Sequence, residues 1–181
     1  LSKIEAGKLT IENVGFEPRK ILAEVMRVMM HKAQEKGISF TNSYCDTNLA
    51  PVLIGDPHRL NQILLNLVSN AIKFTNNGNV DINCEVIEDK VTSQILKVNV
   101  KDTGIGMKES FVKQIFDKFS QEYSSGSSKY GGTGLGMSIS KDLIELMGGE
   151  IKVESKKGVG TLIFFTLELV KGDIPDLHQK E

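Results

Sequence analysis

Three groups of residues in this sequence have the types and spacing to do chemistry, and all three suit a nucleotide. Asn66, Asn70 and Lys73 stand at i, i+4 and i+7, so a helix would set them along one arc. An asparagine carbonyl is a hard, uncharged oxygen ligand, and two of them beside a lysine ammonium can hold Mg2+ and phosphate oxygens together. Asparagine is a poor helix former, so two of them one turn apart in a strong helix ask for a reason. A solvated helix face would nevertheless carry the same residues. The second group is Asp102-Thr103-Gly104-Ile105-Gly106, directly after a strand-like run. Its glycines allow backbone to approach a flat ligand. Its carboxylate can accept hydrogen bonds from an exocyclic amine such as that of adenine. The plain alternative is an ordinary Asp-Gly turn. The third group, Gly131-Gly132-Thr133-Gly134-Leu135-Gly136, opens a helix. Free backbone N–H groups at a helix N-terminus favour an anion, and phosphate is the natural guest; a flexible linker is the alternative. A Walker loop needs Gly-Lys-Ser/Thr, and a Rossmann fingerprint needs a strand immediately before the glycines. Neither requirement is met, and the eukaryotic protein-kinase motifs are absent.

These groups need a scaffold. A helix opens with Asp56 as N-cap and Pro57 at its first position and runs to about Phe74, before a stop at Asn76-Asn77-Gly78. Leu60, Ile63, Leu64, Leu67, Ala71 and Phe74 form its apolar stripe. Upstream, residues 1–8 read as the end of a helix and 9–16 as a strand. Pro18 opens a helix carrying Ile21, Leu22, Val25, Val28, Met29 and Ala33 to a stop at Gly37, and 38–45 read as a strand. Met26, Met29 and Met30 are read as core filling rather than a binding groove. Downstream, 79–88 and 94–102 are alternating runs expected to pair antiparallel. A short helix follows over 108–117, then a Gly/Ser-rich loop over 120–133 and a third main helix over 135–147. Strands at 150–156 and 160–170 flank a turn at Lys157-Gly158, and the polar tail from Lys171 is expected to fray. Consecutive strands joined by short turns predict an α/β (α+β) fold. The expected form is a two-layer sandwich, a mixed, mostly antiparallel sheet on three main helices.

The 181 residues suffice for one domain, and 40% hydrophobic with 25% charged residues excludes a disordered or fibrous chain. A net charge of −1 gives no electrostatic case for nucleic acid or an anionic membrane surface as partner. No apolar run approaches the roughly 18 residues of a membrane span, and these residues are not expected to hold a signal peptide. The first residue is Leu1, which suggests a piece of a longer chain. Cys45 and Cys84 lack metal-ligand spacing and are expected to be reduced, buried thiols. None of His31, His58 and His178 lies near a candidate nucleophile.

Together the motifs carry a resemblance. Asn66-Leu-Val-Ser-Asn70-Ala71-Ile-Lys73-Phe74-Thr75 resembles the N box of sensor histidine kinases, and Asp102-Thr-Gly-Ile-Gly106 their G1 box. Phe116-Asp-Lys-Phe119 resembles the F box, Gly132-Thr-Gly-Leu-Gly136 the G2 box, and Gly160-Thr161 the final glycine-containing turn. Each box alone is weak; four in order over residues 9–170 are specific. Ser2-Lys-Ile-Glu-Ala-Gly7 is similar to the end of a dimerisation hairpin, especially that of hybrid kinases.

The resemblance implies a Bergerat ATP-binding fold with ATP and Mg2+ as cofactors. In it Asn70 would hold the metal, Asn66 would lie beside metal and phosphates, and Lys73 would contact phosphate. Asp102 would accept the adenine amine, with Gly104 and Gly106 beside the ring, and Met107 and Thr161 would be among the ATP-binding residues. Residues 120–133 would form a flexible ATP lid anchored at its base by Phe116 and Phe119. Gly132, Thr133, Gly134, Leu135 and Gly136 would present backbone to the phosphates. Hydrolysing relatives carry glutamate where Asn66 stands. A neutral amide cannot deprotonate water, so phosphoryl transfer to a protein acceptor is expected over hydrolysis. Where many hybrid kinases have Arg-Lys in the lid, this chain has Ser128-Lys129, which leaves Lys129 as the catalytic cation there, or as a solvated lysine. None of the three histidines resembles the acceptor, so this chain should bind ATP without phosphorylating itself. The implied partners are a dimerisation and phosphoacceptor domain and, indirectly, a response-regulator receiver domain. The chain by itself should be monomeric, and its expected location is cytoplasmic. A conformational ATPase and a non-catalytic nucleotide-binding module are the competing readings.

Overall fold

A computed structural model of the chain describes residues 10–117 and 136–178. Its elements run β1 (Val14–Phe16), α1 (Pro18–Lys36), β2 (Ser39–Cys45), β3 (Leu53–Gly55), α2 (Pro57–Lys73), β4 (Asn79–Asp89) and β5 (Ser93–Asp102). Then come α3 (Glu109–Val112), α4 (Gly136–Leu146), β6 (Glu150–Lys156), β7 (Gly160–Lys171) and a 3-10 helix over Ile174–His178. The strands form one seven-stranded sheet in the order β1-β3-β7-β5-β4-β2, with β6 also paired to β7. Among the described residues only β2 and β4 run parallel and every other pairing is antiparallel, as the run of short-turn connections implies.

One face of the sheet is apolar and the helices cover it. Val80, Ile82, Val98, Val100, Ile163, Phe165 and Leu167 point inward from β4, β5 and β7 with the alternation of a half-buried sheet. Leu22, Val25 and Ala33 of α1, Leu64, Leu67 and Val68 of α2, and Leu143 and Ile144 of α4 meet them in one core. The two-layer sandwich is thereby realised on three main helices. Cys45 and Cys84 are free and stand opposite each other on β2 and β4. Burial pushes the Cys84 thiol up to about 12, which leaves it protonated and inert. Cys45 is only half-buried, short of the burial expected for it.

Helix α2 is fixed at both ends. Asp56 accepts from Arg59 N through Oδ1 and from Glu12 N through Oδ2, each at 3.0 Å. At the other end, Lys36 Nζ of α1 donates to the Ile72 and Lys73 carbonyls at 2.7 and 2.9 Å, a cation on the negative end of the helix. Asp56 is buried, so Asp56→Ala strands two backbone donors. Loss of about 1–2 kcal/mol is expected, read as a lower urea midpoint at unchanged slope.

Several elements differ from expectation. The strand predicted over 9–16 spans only Val14–Phe16, because its length is set by a three-residue partner, β3. The helix predicted over 108–117 covers only Glu109–Val112, with turns beyond it. The helix predicted to Phe74 ends at Lys73, with Phe74 as its C-cap. The tail does not fray as far as His178. Asp176 Oδ2 accepts from Asp173 N, and the Asp176 backbone packs on Gly15 so closely that a Cβ there would stand 2.6 Å from its carbonyl carbon. Among the described residues, no helix is long and apolar enough to cross a membrane.

Candidate nucleotide site

Helix α2 is the common wall on which the predicted groups meet. Asn66, Asn70 and Lys73 lie half-buried along its arc. Asn66 Nδ2 donates to the Gly136 carbonyl and to Ser140 Oγ, both at 2.7 Å, which ties α2 to the first turn of α4. Asn70 makes no side-chain hydrogen bond to another described residue, which leaves its carbonyl oxygen for a ligand. Lys73 Nζ lies 5.4 Å from the Phe74 ring centroid, and burial lowers its pKa.

The segment after β5 docks on the C-terminal end of the same helix. Ile105 N donates to the Phe74 carbonyl at 3.1 Å, and a Cβ on Gly104 would stand 2.2 Å from that oxygen. Asp102 sits on the inner, helix-covered face at the end of β5, opposite Thr161 of β7. Only 7% exposed, its carboxyl is pushed up to about 6 by burial, against hydrogen bonds from the Gly104 and Thr161 backbone N–H groups that favour the carboxylate. The Gly104 bond measures 2.9 Å. Gly106, at φ +66°, lies against the Lys156 backbone, so its missing side chain makes room for protein as well as for any ligand.

Ser155 was not legible as a site residue. Its Oγ accepts from Met107 N at 2.9 Å, bonds to Thr161 Oγ1 at 2.7 Å and donates to the Gly160 carbonyl at 3.0 Å, joining the ends of β6 and β7 to the loop after β5. A lone serine among the Lys and Glu of β6 gives no motif. Ser140 was missed too. Its one signal is a polar residue on the buried stripe of α4, where it is 1% exposed.

Phe116 packs at the edge of the core with Lys141 of α4 over its ring. Phe119, Lys129, Gly132, Thr133, Gly134 and Leu135, with the rest of the expected lid, lie outside the described residues. Among the histidines, His31 is exposed on α1 beside Glu35, His58 is exposed in the first turn of α2, and His178 ends the 3-10 helix. Among the described residues, no three His, Cys, Asp or Glu side chains gather around a metal position. The donors present fit Mg2+ all the same. That ion takes one or two protein oxygens and completes its shell with phosphate oxygens and water.

The family model of histidine kinase-, DNA gyrase B- and HSP90-like ATPases matches residues 55–171, which hold α2, the Asp102 segment and β7. The chain belongs to this ATPase family. Within it, the chain is 44% identical over 166 residues to hybrid signal transduction histidine kinase B of Dictyostelium discoideum, covering 92% of this chain and 8% of that protein. It is 44% identical over 171 residues to the sensor histidine kinase GacS of Pseudomonas protegens, covering 94% of this chain and 18% of that one. The chain thus spans less than a fifth of either relative's length. Full-length ShkA in complex with AMPPNP shares its fold with a TM-score of 0.81 at 28% identity, over 96% of this chain and 35% of that one. The catalytic domain of the histidine kinase ThkA does so with a TM-score of 0.67 at 28% identity, over 86% and 95%. These similarities agree with the reading of the four boxes as those of a histidine kinase's ATP-binding domain.

Proposed function

We propose that this chain binds Mg2+-ATP and transfers its γ-phosphoryl group to a histidine on a dimerisation domain outside this sequence. The observation that carries the reading is the arrangement along α2. The Asp102 segment meets its C-terminal end at Phe74, and the start of α4 meets it at Asn66. About 12 Å of helix separates the two, on the scale of a nucleoside triphosphate laid along it. Asp102 would take the adenine amine at one end, with Gly104, Gly106, Met107 and Thr161 around the ring. Lys73 and the backbone of residues 132–136 would take the phosphates. Bound Mg2+ would be held by Asn70 and would neutralise phosphate charge.

In the transfer, the bond from Pγ to the β,γ-bridging oxygen breaks and a P–N bond to the acceptor imidazole forms, with ADP leaving. The chain's residues contribute positioning and charge rather than covalent chemistry. Helix α2 contains no Asp or Glu, so no carboxylate stands at or near Asn66 on it to activate a water molecule, and its one histidine, His58, is two turns away in the first turn. This favours transfer over hydrolysis. Lys129 would add a cation from the lid, and a receiver domain would take the phosphoryl group from the acceptor histidine.

The test supplies the parent's dimerisation domain in trans with γ-labelled ATP. Labelled hairpin, formed faster than free phosphate, is the expected result. Steady phosphate release with an unlabelled hairpin would instead establish a hydrolase. A chain whose melting temperature Mg-ATP does not raise would overturn nucleotide binding itself.

A further inference from the structure

Asn66 is the residue on which the choice between transfer and hydrolysis turns, and its side chain is already engaged. A carboxamide nitrogen carries two protons. One goes to the Gly136 carbonyl and the other to Ser140 Oγ, both at 2.7 Å. A carbonyl only accepts, so the nitrogen must face α4 and the amide cannot be turned the other way. The whole carboxamide packs on Gly136: Asn66 Oδ1 would lie 2.5 Å, and Nδ2 3.1 Å, from the position of a Cβ there. Ser140 itself is buried, on the first full turn of α4. A buried hydroxyl in an apolar stripe must be partnered, and Asn66 is the partner given by the structure.

We propose that Ser140 is a positioning residue for phosphoryl transfer. It spends the second N–H of Asn66, so that Asn66 can meet a bound nucleotide only through its carbonyl oxygen. An N–H from Asn66 to a phosphate is thereby excluded. What remains is an oxygen for a metal ion, a metal-bound water or another donor. The same pair of bonds holds the first turn of α4, which follows directly on Gly132–Leu135, against the helix that carries Asn70 and Lys73. The inference rests on the phosphoryl-transfer reading above, and its test separates the two.

Two measurements are made on the whole chain. The first records the 15N-resolved side-chain amide of Asn66 without nucleotide. In the wild type both amide protons are bonded and exchange slowly. Ser140→Ala frees one, which moves upfield and exchanges faster. The second measures ATP affinity and transfer to the dimerisation domain. Ser140→Ala is expected to slow transfer about tenfold, the loss of one good hydrogen bond, while the ATP dissociation constant stays within twofold. Ser140→Thr keeps the hydroxyl and restores the rate. Should Ser140→Ala fail to fold, Ser140→Cys, a weak acceptor, carries the same comparison. An unchanged Asn66 amide overturns the clamp. A changed amide with an unchanged transfer rate overturns its role in positioning. A wild type that binds ATP but labels no hairpin overturns the transfer reading and with it that role, while the amide spectrum still decides whether Ser140 holds Asn66.

Discussion

Asp102→Asn weakens ATP binding on the order of 100-fold at pH 7.5, as read by calorimetry, while the nucleotide-free chain stays folded. The reason is a count of donors. The Gly104 and Thr161 backbone N–H groups already point at this side chain, and an adenine amine would add a third. A carboxylate is acceptor-only and takes all three. An asparagine of the same shape has one acceptor oxygen and must turn its NH2 toward one of the donors. In a site 7% exposed, water cannot relieve that conflict.

The same group makes the effect depend on pH. Burial raises the folded carboxyl to about 6 from an ordinary 3.8, so between those values the folded chain binds more protons than the unfolded one. The contribution of Asp102 to folding is therefore fully present below 3.8 and is lost as pH rises through about 6. Nucleotide binding runs in the opposite direction. An adenine amine needs the ionised form, so affinity falls as pH drops through about 6. ATP phosphates titrate nearby, but they do so in wild type and variant alike. The ratio of the two dissociation constants isolates Asp102. It should shrink toward one between pH 7.5 and pH 5, and a ratio that stays constant would remove Asp102 from the adenine contact.

The parts legible in the sequence were those whose cause is local. Helix α2 announces itself because Asp56 and Pro57 start it and a single apolar stripe runs along it; only its last residue was misjudged. The β4–β5 hairpin alternates along almost its whole length. Strand β3 was not foreseen. Three residues after Pro51 are too few to show a period, and its place is dictated by β1 and β7, distant in sequence. The tail is held by Gly15, some 160 positions away, where backbone meets backbone and no side-chain pattern could signal it. The site divides the same way. The asparagines, Lys73, Asp102 and the glycines have telling types and spacing. Ser155 and Ser140 are ordinary serines whose partners lie on other elements; Asn66 and Ser140 are 74 positions apart. Even the glycines of the Asp102 segment were understood only in part, as openings for a ligand. Gly104 and Gly106 also admit the backbone of Phe74 and of Lys156.

That double demand makes Gly106→Ala a severely damaging small substitution. At φ +66° an alanine is strained by about 1–2 kcal/mol. Its methyl would also stand 2.0 Å from the Lys156 carbonyl oxygen and 2.9 Å from Lys157 Cα, both backbone atoms that cannot swing aside. The segment must retreat from the β6–β7 turn. Retreat stretches the bonds that bind the two, Gly158 N to the Ile105 carbonyl at 2.7 Å and Met107 N to Ser155 Oγ at 2.9 Å. Strain and lost bonds together come to roughly 3 kcal/mol or more, a fall in melting temperature of about 10 °C for a domain of this size. Nucleotide affinity should fall with it, because Asp102 loses the segment that supplies one of its two backbone donors. Gly158→Ala separates the causes. Gly158 has φ +83° but nothing within 4 Å of a Cβ, so alanine there meets strain alone and should cost about 1–2 kcal/mol. Equal losses in the two variants would mean that close approach at Lys156 contributes nothing. A much larger loss at Gly106, with affinity falling only there, would assign the contact between the β6–β7 turn and the Asp102 segment to the floor of the adenine site.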